Sequence, residues 1–150
     1  MLSEYLILTG LAIAPISEAR GAVLYGLSAG LNPAAVFLIS FLANVLTIPL
    51  IFWFLQQANF LGFAQKLFGK NAYDWIGKNK QKIDKWGEFA LYGFVAVPLP
   101  ITGGWMGALI ATLLNMDRKK AYVAIILGIL TATTITFVGI GSGIFLYNRL

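Results

Sequence analysis

Two proline- and glycine-bearing breaks interrupt otherwise apolar stretches of this chain, Pro15-Ile16-Ser17-Glu18-Ala19-Arg20-Gly21 and Pro98-Leu99-Pro100-Ile101-Thr102-Gly103-Gly104. The offset from Pro15 to Pro98 is 83 residues, and without a gap it also pairs Gly21 with Gly104 and Asn32 with Asn115. A helix cannot run through such a break, because proline lacks the N–H donor and clashes with the preceding turn. Paired, broken apolar segments in the two halves of one chain point to a binding site built from discontinuous helices. The first break also carries Glu18 and Arg20, the only charges far from any plausible membrane boundary. An ionisable residue at membrane depth marks a functional site by default.

Hydrophobic residues make up 59% of the 150 and charged residues 11%. Soluble domains carry about 45–50% and about 25% respectively. So few charges cannot cover so much apolar surface in water, so the solvent must be lipid and the expected fold is an all-α integral membrane protein. With no cysteine and no histidine, thiol chemistry is excluded and a metal site would rest on carboxylates alone. No metal and no cofactor is expected. Nor is an enzyme, since Glu18 has no obvious partner for acid–base work. The net charge of +5 is placed for a membrane and not for nucleic acid. Lys66, Lys70, Lys78, Lys80, Lys82 and Lys85 lie in one central linker, and Arg118, Lys119 and Lys120 in one short loop. Such runs beside apolar segments set topology or contact anionic headgroups.

Apolar arms over 5–14 and 21–31 flank the first break, and arms over 89–97 and 105–114 flank the second. Each is roughly half the hydrocarbon thickness, so each pair reads as a re-entrant hairpin. Residues 34–54 and 121–147 are long enough to cross. The expected architecture is a single membrane domain over 1–150. It comprises an inverted repeat of about 1–57 and about 89–150, joined by an amphipathic basic linker over about 58–88. By the positive-inside rule the linker is cytoplasmic and both termini lie outside a plasma membrane crossed several times. Tyr5 and Tyr147 then fall near the outer boundary, and Trp53, Trp86 and Tyr122 near the inner one.

Each return arm should begin a helix at its break, with free N–H groups and a partial positive charge aimed at the midplane. Ser17 and Thr102 are the expected N-caps, with Gly103, Gly104 and Trp105 at the mouth of the second arm. Two helix ends facing each other attract an anion, and Arg20 adds a rigid fork suited to carboxylate or phosphate. Glu18 favours a cation, a proton, or its neighbour Arg20. A purely structural Glu18–Arg20 pair is the competing reading. Asn44 lies mid-span, equally suited to bonding a neighbouring helix and to touching substrate. Thr131, Thr133, Thr134 and Thr136 are expected to bond the preceding helical turn, with pore lining as the less favoured alternative. Gly139-Ile140-Gly141-Ser142-Gly143 reads as a close-packing face. Two buried breaks need more surrounding protein than six apolar segments provide, so a homodimer through that face is expected.

With these residues in view, the chain resembles the small multidrug export family of short bacterial and archaeal membrane proteins. The stretches that carry the resemblance run from Pro15 to Ala22 and from Val95 to Ala108, with the lysine-rich linker between them and Asn44 before a Pro49 turn. The family's second motif has Pro-Gly-Thr-Gly-Ala-Trp-Thr-Gly, and here Ile101 and Met106 stand in place of its Gly and second Thr. The layout is also similar to the DedA superfamily, whose paired re-entrant hairpins are associated with moving polyprenyl-phosphate or other lipids. The resemblance implies a small exporter, with proton coupling as one option and Glu18 and Arg20 lining a central site. A translocase or scramblase for an anionic lipid carrier and a non-transporting scaffold are the alternatives.

Overall fold

A computed structural model describes residues 2–57, 78–99 and 102–147. Within them the regular structure is six helices: α1 Leu2–Ile13, α2 Glu18–Ser28, α3 Pro33–Gln57, α4 Lys80–Ala96, α5 Gly104–Leu113 and α6 Arg118–Tyr147. The expected linker over 58–77 and the Pro100 break lie outside the described residues. The last part of that linker is not a separate surface helix, because Lys80 opens α4 and the helix continues into the arm expected only from residue 89. α3 likewise runs through Pro49 without a turn. In an apolar span, neighbouring helices can re-satisfy the carbonyl that proline frees.

Helix lengths divide the elements into two kinds. α3 with 25 residues and α6 with 30 extend about 38 and about 45 Å, and both carry windows long and apolar enough to cross a membrane. α1, α2 and α5 hold 12, 11 and 10 residues, or only about 15–18 Å each. The outward face of α3 exposes Leu38, Leu42, Leu46, Leu50 and Trp53 along its length. A stripe of that extent is stable against lipid and not against water.

Packing is divided into two apolar clusters. Leu8 and Ala12 of α1, Ala22 and Val23 of α2 and Val36 of α3 form one, with Phe137 and Ile140 of α6 against it. Ile48, Ile51, Phe52 and Leu55 of α3 join Leu91 and Val95 of α4, Ala108 and Ala111 of α5, and Ala121 to Ile129 of α6 in the other. The α1–α2 hairpin therefore packs on the start of α3 and the end of α6, and the α4–α5 hairpin on the opposite ends of both. Close approach depends on glycines whose missing side chains make room. A Cβ on Gly26 would collide with Leu8 and Val36, and one on Gly128 would stand 2.6 Å from Val95 Cβ. Gly139, Gly141 and Gly143 meet no neighbour within 4 Å among the described residues.

The two halves share their corner geometry. Between α2 and α3, Leu31 N donates to Gly26 O, Gly30 N to Leu27 O and Ala35 N to the Asn32 side chain. Between α5 and α6 the same bonds recur from Met116 to Ala111, Asn115 to Thr112 and Lys120 to the Asp117 side chain. Each pair is displaced by 85 residues. These are helix-terminating turns followed by an N-cap, with Gly30 (φ +70°) and Asn115 (φ +47°) as the left-handed residues. Before the breaks the correspondence is 83, since Ala14 N donates to Gly10 O as Val97 N does to Gly93 O. The second break is two residues longer. Asn32 therefore corresponds to Asp117, not Asn115, and Gly21 to Met106, not Gly104.

Candidate functional site

The polar interior lies between the two clusters. Among the described residues the buried polar side chains are Glu18, Ser40, Asn44, Thr47 and Thr133, and Asn44 and Thr133 sit midway along α3 and α6. Glu18 stands at the first position of α2 with φ +50°, a left-handed conformation uncommon outside glycine. Its carboxylate reaches the other hairpin. Oε1 accepts the Trp105 backbone N–H at 3.3 Å, and the Gly104 backbone acts on the same carboxylate. Glu18 thus caps the N-terminus of α5 from the other hairpin. Charge-assisted capping combines a hydrogen bond with the positive end of the helix.

Neither residue expected to cap does so. Ser17 Oγ donates to Leu11 O at 2.6 Å, closing the first turn, and its Cβ lies against Gly21, where a side chain would not fit. Thr102 Oγ1 bonds to Val97 O and Leu99 O at 2.6 and 2.9 Å, holding the second break in shape. The N-cap position of α5 is Gly103, and a Cβ there would coincide with the Glu18 carboxylate. Local side chains are occupied in shaping the breaks, so the cap comes from across the junction.

The exchange is reciprocal. Trp105 donates its indole N–H to Ile13 O at 3.1 Å, satisfying a carbonyl in the last turn of α1. Each hairpin therefore completes a helix end of the other. Arg20, two residues after the start of α2, brings Nη2 to 4.0 Å from Glu18 Oε2, with side chains 15% and 7% exposed. At this separation the pair interacts by charge with little hydrogen bonding. Pro15 and Pro98 flank the junction on exposed backbone.

Two cavities adjoin this centre. One of about 10 Å³ is lined by Glu18, Arg20, Asn44, Gly103, Ile129 and Thr133 among others. That space is too small for a drug or a lipid headgroup. The other, about 320 Å³, is an apolar groove lined by Pro15, Ile16, Phe54, Trp105, Met106 and Leu109 among others. Trp105 connects this groove to the junction, lining the groove while its backbone N–H binds Glu18. Of the four threonines singled out from sequence, Thr133 departs from the expected backbone bond. Thr131, Thr134 and Thr136 each bond the carbonyl four residues back as expected, whereas the buried Thr133 hydroxyl has no partner among the described residues. No group of three or more acidic or thiol ligands that could hold a metal occurs among the described residues.

The profile of a protein family described as "Putative small multi-drug export protein" matches residues 18–135. The match covers more than half of the chain, begins at Glu18 and contains the whole second break. The chain belongs to that family and is a membrane protein. No curated protein and no solved structure matches it.

Proposed function

We propose that the protein is a small transporter in which the Glu18–Arg20 centre is the gate between two re-entrant hairpins. The observation that carries this reading is the Glu18 carboxylate seated on the N-terminus of α5. A helix end with its donors filled by an internal carboxylate is a site for an external anion held in its closed state. An anionic group arriving at Arg20 and the α5 donors displaces Glu18, and a proton taken up by Glu18 removes the charge that would otherwise compete. Opening the gate also costs α1 its bond from Trp105, so the two hairpin tips part together. The inverted-repeat reading is supported by the repeated corners and by hairpins packed at opposite ends of α3 and α6. The lysine asymmetry supports a cytoplasmic linker.

A lipid-linked anion is the second reading, favoured by the apolar groove that shares Trp105 with the gate. Its tails would lie in the groove while the headgroup meets Arg20. Reconstituted vesicles test both readings, with cationic dyes and lipid-linked phosphates as separate substrates under an imposed pH gradient. Glu18→Gln should abolish the dependence on the gradient, and Arg20→Lys should retain part of the activity that Arg20→Ala loses, because ammonium lacks the bidentate fork. Transport by folded variants at the wild-type rate and with the wild-type gradient dependence would refute the gate. Absence of transport of any probe by the wild type, with lysine-dependent binding to anionic vesicles, would favour the scaffold.

A further inference from the structure

The small cavity beside Glu18 presents more hydrogen-bonding capacity than the surrounding protein uses. Asn44 Oδ1 and Thr133 Oγ1 are buried without a partner among the described residues, at 2% and 0% residue exposure, and both residues line it. They come from the midpoints of two different helices. Buried oxygens without partners are rare because desolvation is uncompensated. Space of about 10 Å³ is close to the least that holds one water, which needs two to four polar partners. Glu18, Asn44 and Thr133 supply three.

We propose that this cavity is a site for a single water molecule that donates to the Glu18 carboxylate and to Asn44 Oδ1 and accepts from the Thr133 hydroxyl. The donor count closes: the water's two protons meet two acceptors, and the hydroxyl proton of Thr133 meets the water oxygen. A bare cation suits the space but not the charge. The wall already contains one carboxylate and one guanidinium, so a cation would leave a net positive charge buried beside Arg20. The water links α2, α3 and α6, and through Glu18 it reaches α5. It makes Asn44 and Thr133 the residues that hold Glu18 on its cap from behind, a role independent of what is transported.

The test is equilibrium unfolding of the full chain in mild detergent. Thr133→Val preserves shape and deletes the hydroxyl. If the hydroxyl serves the water, the variant unfolds about fivefold more readily, the worth of roughly one net hydrogen bond. If the hydroxyl is dry and unpaired, deleting it leaves stability unchanged or raises it, and the proposal fails. Asn44→Leu and Glu18→Gln are each combined with Thr133→Val. A shared water makes the effects less than additive, because losing one partner already loosens the water, whereas strict additivity in both pairs overturns it. Should Asn44→Leu not fold, the Glu18→Gln pair and the sign of Thr133→Val decide. Wild-type stability should be the same in sodium and choline buffers; a sodium-specific gain abolished by Thr133→Val would replace the water with a cation.

Discussion

Gly103→Ala separates the gate from ordinary packing. Gly103 has φ −100° and ψ −160°, extended backbone that alanine adopts without strain. The substitution therefore acts only through the space its methyl takes, and that space is the Glu18 carboxylate. Evicting the carboxylate removes a charged-acceptor hydrogen bond, worth about 1.5–3 kcal/mol, and its interaction with the helix end, about 0.3–1 kcal/mol. The 3.3 Å length of the Trp105 bond places the first contribution at its lower limit. Because Arg20 and Glu18 share the start of α2, part of their attraction survives the move. The expected loss is about 2–2.5 kcal/mol. Unfolding of purified protein in mild detergent, followed by circular dichroism, measures it. In a Glu18→Ala background there is no carboxylate to evict, and Gly103→Ala should then cost under about 0.5 kcal/mol. An equal cost in both backgrounds would refute the reasoning and make Gly103 a packing residue.

Gly128→Ala should destabilise by about 1–3 kcal/mol, since its Cβ would meet Val95 Cβ at 2.6 Å and the Tyr92 carbonyl at 3.2 Å, forcing α4 from α6. Gly139→Ala, with no neighbour within 4 Å among the described residues, should be neutral or gain up to about 1 kcal/mol of helix propensity, measured in the same unfolding assay. Should Gly139→Ala instead shift a dimer to monomer in native mass spectrometry, the open glycine face is the contact between copies. Single cysteines at Ser3 and Lys80 report orientation: an impermeant thiol reagent on intact cells should label position 3 and spare position 80, and the reverse pattern would invert the topology.

What was legible in the sequence follows from the solvent. In lipid an apolar segment must be long enough to cross or must be broken where it turns, so the lengths around Pro15 and Pro98 foretold six helices close to those observed. The boundary between linker and second hairpin was not legible, because Lys80 to Glu88 is polar enough to resemble a surface segment while remaining helical. The caps were misplaced for a different reason. Ser17 and Thr102 satisfy every local rule for capping, but the break geometry commits both hydroxyls to carbonyls behind them. The residue that does cap α5 is 87 positions away from the N–H it accepts, and no local pattern contains that pairing. Thr133 is hidden similarly among three threonines that obey the helical rule it breaks.

The two-residue excess of the second break has a further consequence. Under the 85-residue correspondence, the counterpart of Glu18 is Gly103, and these two positions lie against each other. A position that meets its own counterpart cannot bear the same side chain twice, since one copy's group occupies the volume the other would need. The carboxylate in one half and the bare hydrogen in the other are thus two aspects of a single choice. The junction is therefore asymmetric: α5 receives a carboxylate on its N-terminus from α2, whereas the N-cap of α2 makes no side-chain bond, so the two helix starts that meet there are chemically unlike.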